Sequence, residues 1–310
     1  MIPTIELNRV KKLSFLLSIL IFINIFFGPL VRATDSGLAC PDWPLCYGKV
    51  LPPPEFRIWM EVGHRIYSGI LGLIYLVLFV YIVKHPFLRK SYATLGVLGS
   101  IVLINQVILG KLTVTMLLNP KTVNLHLLNA VLYLLVVFSI TLKSNAQLNF
   151  QNKDLSLRKL FFKIWNPGIS VSFLLFLSIY FQLFMGGRVS SNYAGLACPD
   201  WPTCHGVFFP SPMEGQIRFQ IEHRFLAYIL FLGVLYLMTL IKKTYSTKSP
   251  EWKLSILFFF SLTFQITLGV INVLFHLPIL ITALHTANGV LVLLVSYTLF
   301  FQQKIKSQIG

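Results

Sequence analysis

The sequence has little charge, and very little of it is negative. Charged residues make up 12% of the chain, and only 10 of its 310 residues are Asp or Glu, against 26 Lys and Arg. Soluble domains carry about 25% charged residues, so this composition excludes an ordinary soluble domain. The chain also has just four cysteines and no C-x-x-C pair. That weakens the case for a thiol-redox centre or a cysteine zinc site.

Long apolar runs are what the chain has instead, since hydrophobic residues make up 55% of it. Runs of about 20 apolar residues, the length of a helix that crosses a bilayer, recur eight times. They fall at 13–31, 62–83, 92–112, 123–142, 169–185, 221–241, 254–275 and 279–301. Because backbone polar groups in lipid must be satisfied internally, each run is predicted to be a transmembrane helix. The predicted fold class is an all-α integral membrane protein.

The net charge of +16 follows membrane topology and does not indicate a nucleic-acid partner. If the N-terminus is cytoplasmic, that side of the membrane holds 17 of the 26 basic residues and three of the acids. This is the positive-inside bias. It predicts a multi-pass protein in contact with lipid, with both termini in the cytoplasm and the cysteine-containing loops on the outer face.

The chain contains an internal repeat, because the motif GLACPDWP stands at 37–44 and again at 195–202. We predict two pseudo-symmetric four-helix bundles in parallel orientation, since a unit with an even number of helices enters the membrane in the same direction each time. The N-terminal bundle is predicted at 1–148, a cytoplasmic linker at 149–166 and the C-terminal bundle at 167–310. The first apolar run corresponds to the fifth, so we expect it to be retained and not cleaved as a signal peptide.

Each half carries two histidines at the same spacing. His64 and His126 correspond to His223 and His285, and 62 residues separate the members of each pair. All four are predicted near the outer ends of helices, so each bundle offers two imidazoles at one depth. Facing histidines in a four-helix bundle suit axial ligation of a heme iron. Zinc fits less well because it takes four ligands, with thiolate or carboxylate help. The alternative is a histidine that is hydrogen-bonded between helices.

Glu61 marks a difference between the halves. It stands three residues before His64, on the same helix face, and an offset of 159 puts Gln220 at this place in the second half. A carboxylate near the membrane interface is costly unless it is used or paired. The half with the acid is suited to moving protons or stabilising a cation, and the half with the amide to holding an electron-transfer cofactor. The alternative is a plain ion pair with Arg65 or Arg57.

The cysteines form two C-x5-C pairs, Cys40 with Cys46 and Cys198 with Cys204, in the predicted outer loops. In an oxidising compartment each pair can close a small loop as a disulfide. Redox exchange is the alternative, because spacing does not distinguish a structural pair from a reactive one.

Other polar residues recur or follow the histidines. Arg65 and Arg224 each follow one, and their forked donors suit heme propionates, although interfacial snorkelling is the alternative. The recurrent amides either line a cavity or hold helices together. They are Gln106, Gln265, Asn129 and Asn288.

In this order and duplication, the motifs resemble those of the heme A synthase family over nearly the whole chain. They are VRATDSGLACPDWPLC at 31–46, the E-x-x-H step at 61–64, NLH at 124–126, the segment 187–204 that ends in GLACPDWPTC, EHR at 222–224 and LHTANG at 284–289. The resemblance implies an eight-helix membrane oxidoreductase. Its reaction oxidises the C8 methyl of heme O to a formyl group, through successive hydroxylations and loss of water, for cytochrome oxidase assembly.

The resemblance also implies a role for each site residue. His223 and His285 would ligate a heme B cofactor, while His64 and His126 would belong to the heme O substrate site with Glu61 as the catalytic acid residue. It implies a bacterial inner membrane, with heme O synthase and the oxidase assembly machinery as partners. The sequence leaves the oligomeric state open, and a homo-oligomer is one of the states it allows. The number of cysteine pairs varies in the family, so the N-terminal pair is either catalytic or structural.

Three alternatives use the same residues differently. A diheme b-type electron carrier, such as a quinol oxidoreductase subunit, would hold two permanent hemes with Glu61 incidental. A thiol-oxidising membrane protein would use the cysteines and would not need four matched histidines. A heme transporter or chaperone would bind heme without turnover.

Overall fold

The structure, a computed structural model, describes residues 4–149 and 166–309. In these ranges the regular elements are helices: α1 (Thr4–Ala33), α2 (Phe56–Lys84), α3 (Pro86–Thr115), α4 (Pro120–Asn149), α5 (Pro167–Ser191), α6 (Gly215–Thr244), α7 (Pro250–Leu274) and α8 (Ile279–Ile309). The predicted linker at 149–166 lies, apart from its two end residues, outside the described part of the chain.

All eight helices are long and apolar enough to cross a membrane, so the predicted all-α membrane fold is confirmed. The helices extend beyond the apolar runs. For example, α2 begins at Phe56 and not at 62, because a helix continues through polar residues such as Arg57 and Glu61 once its backbone is hydrogen-bonded. Hydropathy marks the part of a helix in hydrocarbon, and not its ends.

Local signals set where several helices begin. Asn166 caps α5 by accepting a hydrogen bond from the backbone N–H of Gly168, and Ser249 caps α7 by accepting one from Trp252. Such side chains satisfy N–H groups that the helix itself leaves unpaired. Proline, which lacks an N–H, is favoured at the same place. It is the first residue of four helices, at Pro86, Pro120, Pro167 and Pro250.

The helices pack as two compact units, Met1–Phe162 and Lys163–Gly310, called unit 1 and unit 2 below. In unit 1, α1 packs against α2 and α4, and α3 packs against the same two helices. In unit 2, α5 packs against α6 and α8, and α7 packs against the same two. Within residues 4–149 and 166–309, the helices of each unit therefore form a closed ring of four. The parallel relation of the units stays a prediction.

One polar contact occupies the same place in each unit but is made with different chemistry. In unit 1 the buried Tyr92 hydroxyl donates to Gln147 Oε1. In unit 2 the residues at these positions plus 159 are Glu251 and Lys306, whose charged atoms lie 3.5 Å apart. Glu251 is buried, and a buried charge without a partner costs several kcal/mol. Both residues of this contact therefore have to differ between the units, because the buried Glu251 needs a charged partner.

The packing of α3 on α2 gives a first prediction. A Cβ added at Gly99 would lie 2.9 Å from Cζ of Tyr75, and Tyr75 is buried with its hydroxyl donating to Gly96 O. Because the ring is held at both ends, Gly99→Ala is expected to destabilise unit 1 by about 1–3 kcal/mol through overpacking. The midpoint of thermal unfolding in detergent, followed by circular dichroism, should fall.

The matched control is Gly72→Ala on α2, where an added Cβ meets open space. Alanine also favours a helix over glycine by about 1 kcal/mol, so this variant should unfold at the same temperature or slightly higher. Equal midpoints for the two variants would contradict the packing assigned to Gly99.

Candidate functional site

The histidines of each pair come together near the N-terminal ends of two helices. These ends lie at the loop end of each unit, the end that carries its cysteine loop, 34–55 in unit 1 and 192–214 in unit 2. In unit 2 the ring centres of His223 and His285 are 6.4 Å apart and their planes make an angle of 75°. In unit 1, His64 of α2 and His126 of α4 are likewise neighbours. All four histidines are half-buried.

Glycines on the neighbouring helices make room for these rings. A Cβ at Gly110 would lie 3.2 Å from Cε1 of His126, and a Cβ at Gly269 would lie 3.0 Å from Cε1 of His285. Gly186 stands in the same relation to His223, at 3.0 Å. Any larger residue at these positions would occupy space that the imidazole now fills. Gly186 was not among the residues predicted from the sequence.

The two histidines of a pair differ in their polar contacts. The buried Nδ1 atoms of His64 and His223 have no hydrogen-bond partner among the described residues. By contrast, the rings of His126 and His285 each lie against a glutamine amide, Gln106 at 3.2 Å and Gln265 at 3.3 Å from Nδ1. A buried imidazole nitrogen without a protein partner is available to a ligand. Each pair therefore combines one ring that lies against an amide with one ring whose Nδ1 has no hydrogen-bond partner among the described residues.

Glu61 faces the cysteine loop. It is buried, its Oε1 receives the guanidinium of Arg65, and its Oε2 accepts a 2.8 Å hydrogen bond from Cys40 N–H. The ion pair with Arg65, one of the alternatives given above, is thus present. In unit 2, Gln220 is also buried and also contacts its loop, by donating to Gly195 O at 2.6 Å. The residue at this helix position therefore holds the cysteine loop in both units, but it carries a charge only in unit 1.

Both cysteine pairs form disulfides, Cys40–Cys46 and Cys198–Cys204, as predicted. All four cysteines are buried. The first pair packs on Ile58 and Val62 of α2, and the second on Ile221 of α6. Each disulfide therefore belongs to a small apolar core that seats the loop on its unit.

An aspartate organises each loop, and sequence reasoning missed both. Asp42 accepts hydrogen bonds from the N–H groups of Gly48 and Tyr47, which hold the pKa of its carboxyl below the usual value. Asp200 accepts from the Thr203 hydroxyl and from two backbone N–H groups, which lower its pKa further. The available signal was the recurrence of this acid within GLACPDWP.

Arg224 clamps the second loop. It is buried, and its guanidinium donates to three backbone carbonyls of the loop. These are Asp200 O, Thr203 O and Cys198 O, each at 2.8 Å. Arg65 does the same in unit 1, with Nη1 at 2.9 Å from Asp42 O and 2.7 Å from Leu45 O. The structure thus gives both arginines a loop-holding role, and their predicted contact with heme propionates stays a prediction.

A second cationic group, Arg188 with Arg218, contacts the residue that precedes His223. The sequence did not predict that these two arginines lie together. Arg188 of α5 approaches Glu222 at 2.9 Å, and Arg218 of α6 approaches the same carboxylate at 2.6 Å. The Arg188 guanidinium also lies 4.3 Å from the ring centre of Phe219. One carboxylate is therefore shared by two arginines.

The fold and the site together define a class of protein. It is a multi-pass helical membrane protein of two four-helix units, each of which brings two histidines together beneath a disulfide-closed loop. The family model described as cytochrome oxidase assembly protein, COX15-CtaA, matches residues 11–297. The chain belongs to this family.

The two similar proteins compared below are both called heme A synthase. The chain is 29% identical to the heme A synthase of Shewanella oneidensis over 335 aligned positions, which cover 95% of this chain and 96% of that protein. It is 26% identical to the heme A synthase of Bacillus cereus strain 03BB102, with 89% of this chain and 88% of that protein covered. The predicted resemblance to the heme A synthase family is confirmed.

The loop clamp gives a second prediction. Arg224→Gln should make the Cys198–Cys204 disulfide open about tenfold faster or more in dithiothreitol, because each hydrogen bond from a charged group contributes about 1.5–3 kcal/mol. The rate can be measured by alkylating the released thiols and analysing the peptides by mass spectrometry. The Cys40–Cys46 disulfide, held by Arg65, serves as the control within the same molecule.

Arg218→Gln is the matched variant on the same helix, since Arg218 contacts Glu222 and not a loop carbonyl. It should leave both disulfides at their original rates. If Arg224→Gln left the two rates unchanged while heme content fell, the loop-holding role would be wrong and the propionate role favoured.

Proposed function

We propose that this protein is a heme A synthase, a membrane oxidoreductase that oxidises the C8 methyl of heme O to a formyl group for cytochrome oxidase assembly. Its family and the names of its relatives support this function. The observation that carries the proposal is the 6.4 Å between the ring centres of His223 and His285. With metal–imidazole bonds of about 2 Å on each side, and the ring radii added, one iron between two opposed imidazoles needs such a spacing.

The residues present fit a heme in other respects. The rings lie against glycines, and the Nδ1 atom of one histidine in each pair is buried without a protein partner. Two axial histidines are a common ligand set for heme iron in helical bundles. Heme bound in this way supplies one-electron redox chemistry, while the protein sets its orientation and surroundings.

We assign a different heme to each unit, because the two units differ in charge beside their histidines. We place the cofactor heme B in unit 2 between His223 and His285, and the substrate heme O in unit 1 between His64 and His126. Oxidising a methyl group releases protons, and a group that accepts them has to lie beside the substrate. Unit 1 has a buried carboxylate at this position, whereas unit 2 has the amide of Gln220, which can neither accept a proton at neutral pH nor carry charge.

Glu61 is the residue we assign to proton handling. Its carboxylate lies one helix turn from His64 and is shielded from bulk water. The Cys40 N–H holds Oε2 and Arg65 holds Oε1, so the group is already oriented before substrate binds. A fixed negative charge there stabilises positive charge that develops at the methyl carbon, and either oxygen can take up the released proton. Arg65 acts as a positioning residue, because its guanidinium keeps the carboxylate in place.

The setting of the enzyme is also part of the proposal. The positive-inside bias supports an orientation with both termini in the cytoplasm, and we place the protein in a bacterial inner membrane, as its resemblance to the family implies. The disulfide loops then face an oxidising compartment, where such bonds persist. Heme O synthase would supply the substrate, the oxidase assembly machinery would receive the product, and copies of the chain would associate with each other.

The first test of this function is heme analysis in a host that makes heme O but not heme A. Membranes with and without the protein are extracted, and the hemes are identified by mass spectrometry. Heme A or its hydroxylated precursor should appear only with the protein present. Unchanged heme O beside a folded, heme B-loaded protein would contradict the proposal and favour an electron carrier or a heme-handling protein.

Glu61→Gln tests the assigned role. The amide keeps an oxygen that can accept from Cys40 N–H, but it cannot take up a proton or carry a negative charge. Heme should therefore stay bound, while heme A formation falls by at least about 100-fold, the lower bound of general acid–base catalysis. Heme O or a hydroxylated intermediate should accumulate in the same extraction assay.

The matched control is Asp42→Asn, which weakens the same loop without touching Glu61. The Asp42 carboxylate accepts its hydrogen bonds from N–H groups of the loop and not from a group that holds Glu61. The Asp42→Asn variant should therefore still form heme A. Loss of heme from Glu61→Gln, or equal loss of product in the two variants, would contradict a catalytic role for Glu61.

A further inference from the structure

Each unit contains a chain of amides that ends on one histidine of its pair. In unit 1, Asn129 Nδ2 donates to Val102 O at 2.9 Å and to Gln106 Oε1 at 2.8 Å. A backbone carbonyl can only accept a hydrogen bond, so this contact fixes which end of the Asn129 amide faces α3. The oxygen of Gln106 is then occupied, and its Nε2 is the end that faces His126.

Unit 2 repeats this arrangement. Asn288 Nδ2 donates to Ser261 O at 3.0 Å and to Gln265 Oε1 at 2.9 Å. The Gln265 Nε2 group faces His285 and also donates to the backbone oxygen of that residue at 2.9 Å. Both asparagines are buried, so water does not compete for these hydrogen bonds. The recurrence of the whole chain indicates a shared task at the histidine.

The glutamine amide lies against the imidazole ring and not on one nitrogen. Gln106 Nε2 is 3.2 Å from Nδ1 and 3.3 Å from Nε2 of His126, and Gln265 Nε2 is 3.3 Å from both nitrogens of His285. A donor aimed at one lone pair would be clearly nearer to that atom. This placement restrains the plane of the ring without using up the nitrogen that a metal needs.

The glycine one turn along α3 or α7 closes the other side of the clamp. A Cβ at Gly110 or Gly269 would lie 3.2 Å or 3.0 Å from Cε1 of the same ring. The imidazole is therefore held between an amide and bare helix backbone. His64 and His223 lack the amide side of this clamp, since their Nδ1 atoms have no hydrogen-bond partner among the described residues.

We propose that Gln265 and Gln106 are positioning residues that set the imidazole planes of His285 and His126. This inference rests on the proposed function, because it assigns the rings to heme iron. Partner groups that orient a metal-binding histidine also tune the metal. Here that partner is an amide fixed by a second amide, on the α4 or α8 helix that carries the histidine.

The test uses electron paramagnetic resonance of the full-length protein, because the signal of oxidised low-spin heme depends on the angle between its two imidazole planes. A His64→Ala background removes the unit 1 site, so that the signal comes from unit 2. The 75° between the rings predicts the strongly anisotropic signal of nearly perpendicular planes. Gln265→Leu should broaden this signal and shift it toward lower anisotropy, because His285 is then free to turn.

Two further variants separate positioning from helix packing. Gln265→Glu keeps the oxygen that accepts from Asn288 but loses the N–H that donates to His285 O, so it should change the signal as Gln265→Leu does. Thr282→Val removes a different polar link between α7 and α8, the 3.0 Å hydrogen bond to Asn272 Oδ1, and should leave the signal unchanged. If Gln265→Leu fails to accumulate, Asn288→Ala leaves Gln265 in place but frees its amide, and it should broaden the signal in the same way.

The outcomes are distinct. An unaltered signal from heme-loaded Gln265→Leu or Asn288→Ala would overturn the positioning role, as would an equal shift from Thr282→Val. A His64→Ala protein without any low-spin heme signal would overturn the placement of heme B between His223 and His285, and with it this inference.

Discussion

Polar groups buried in an apolar helical bundle need partners from the protein itself, because hydrocarbon offers no water to replace them. This constraint explains the loop end of each unit. Arg224 is buried and therefore donates to three loop carbonyls, Glu61 is buried and therefore paired with Arg65, and the asparagine–glutamine chains satisfy each other. The loop, the helices and the histidines are consequently held by one set of hydrogen bonds at each loop end.

The same frame carries different chemistry in the two units. At one helix position, unit 1 places the charged Glu61 and unit 2 the neutral Gln220, and both contact the loop above. At a second pair of positions, far from the loops, unit 1 has Tyr92 with Gln147 and unit 2 has Glu251 with Lys306. A duplicated fold can change function in one copy in this way, since exchanging a whole contact keeps buried groups satisfied. The charge difference beside His64 is what makes a substrate site in one unit and a cofactor site in the other physically reasonable.

Much of the architecture followed from patterns in the sequence. Eight apolar runs predicted the eight membrane-spanning helices, and the C-x5-C spacing predicted a disulfide in each loop. The ends of the helices were placed too far inward, because hydropathy does not detect a helix that continues into the interface. The role of Arg224 was not foreseen, since its partners depend on how a loop lies over a helix more than 20 residues away in sequence. The role of Asp42 was missed because it depends on how the loop turns back on itself, to bring the N–H groups of Tyr47 and Gly48 to the carboxylate.

By itself, the sequence determined which residues recur and at what spacing: the four histidines, the four cysteines and the position that holds Glu61 in one half and Gln220 in the other. It did so because periodicity and hydropathy are properties of the chain. Only the tertiary structure decided which way each side chain is held. Glu61 is bound to Arg65 and Cys40, the arginines to loop carbonyls, and one histidine of each pair to a glutamine amide. Such contacts join separate elements of the fold, and their geometry exists only once the helices have packed.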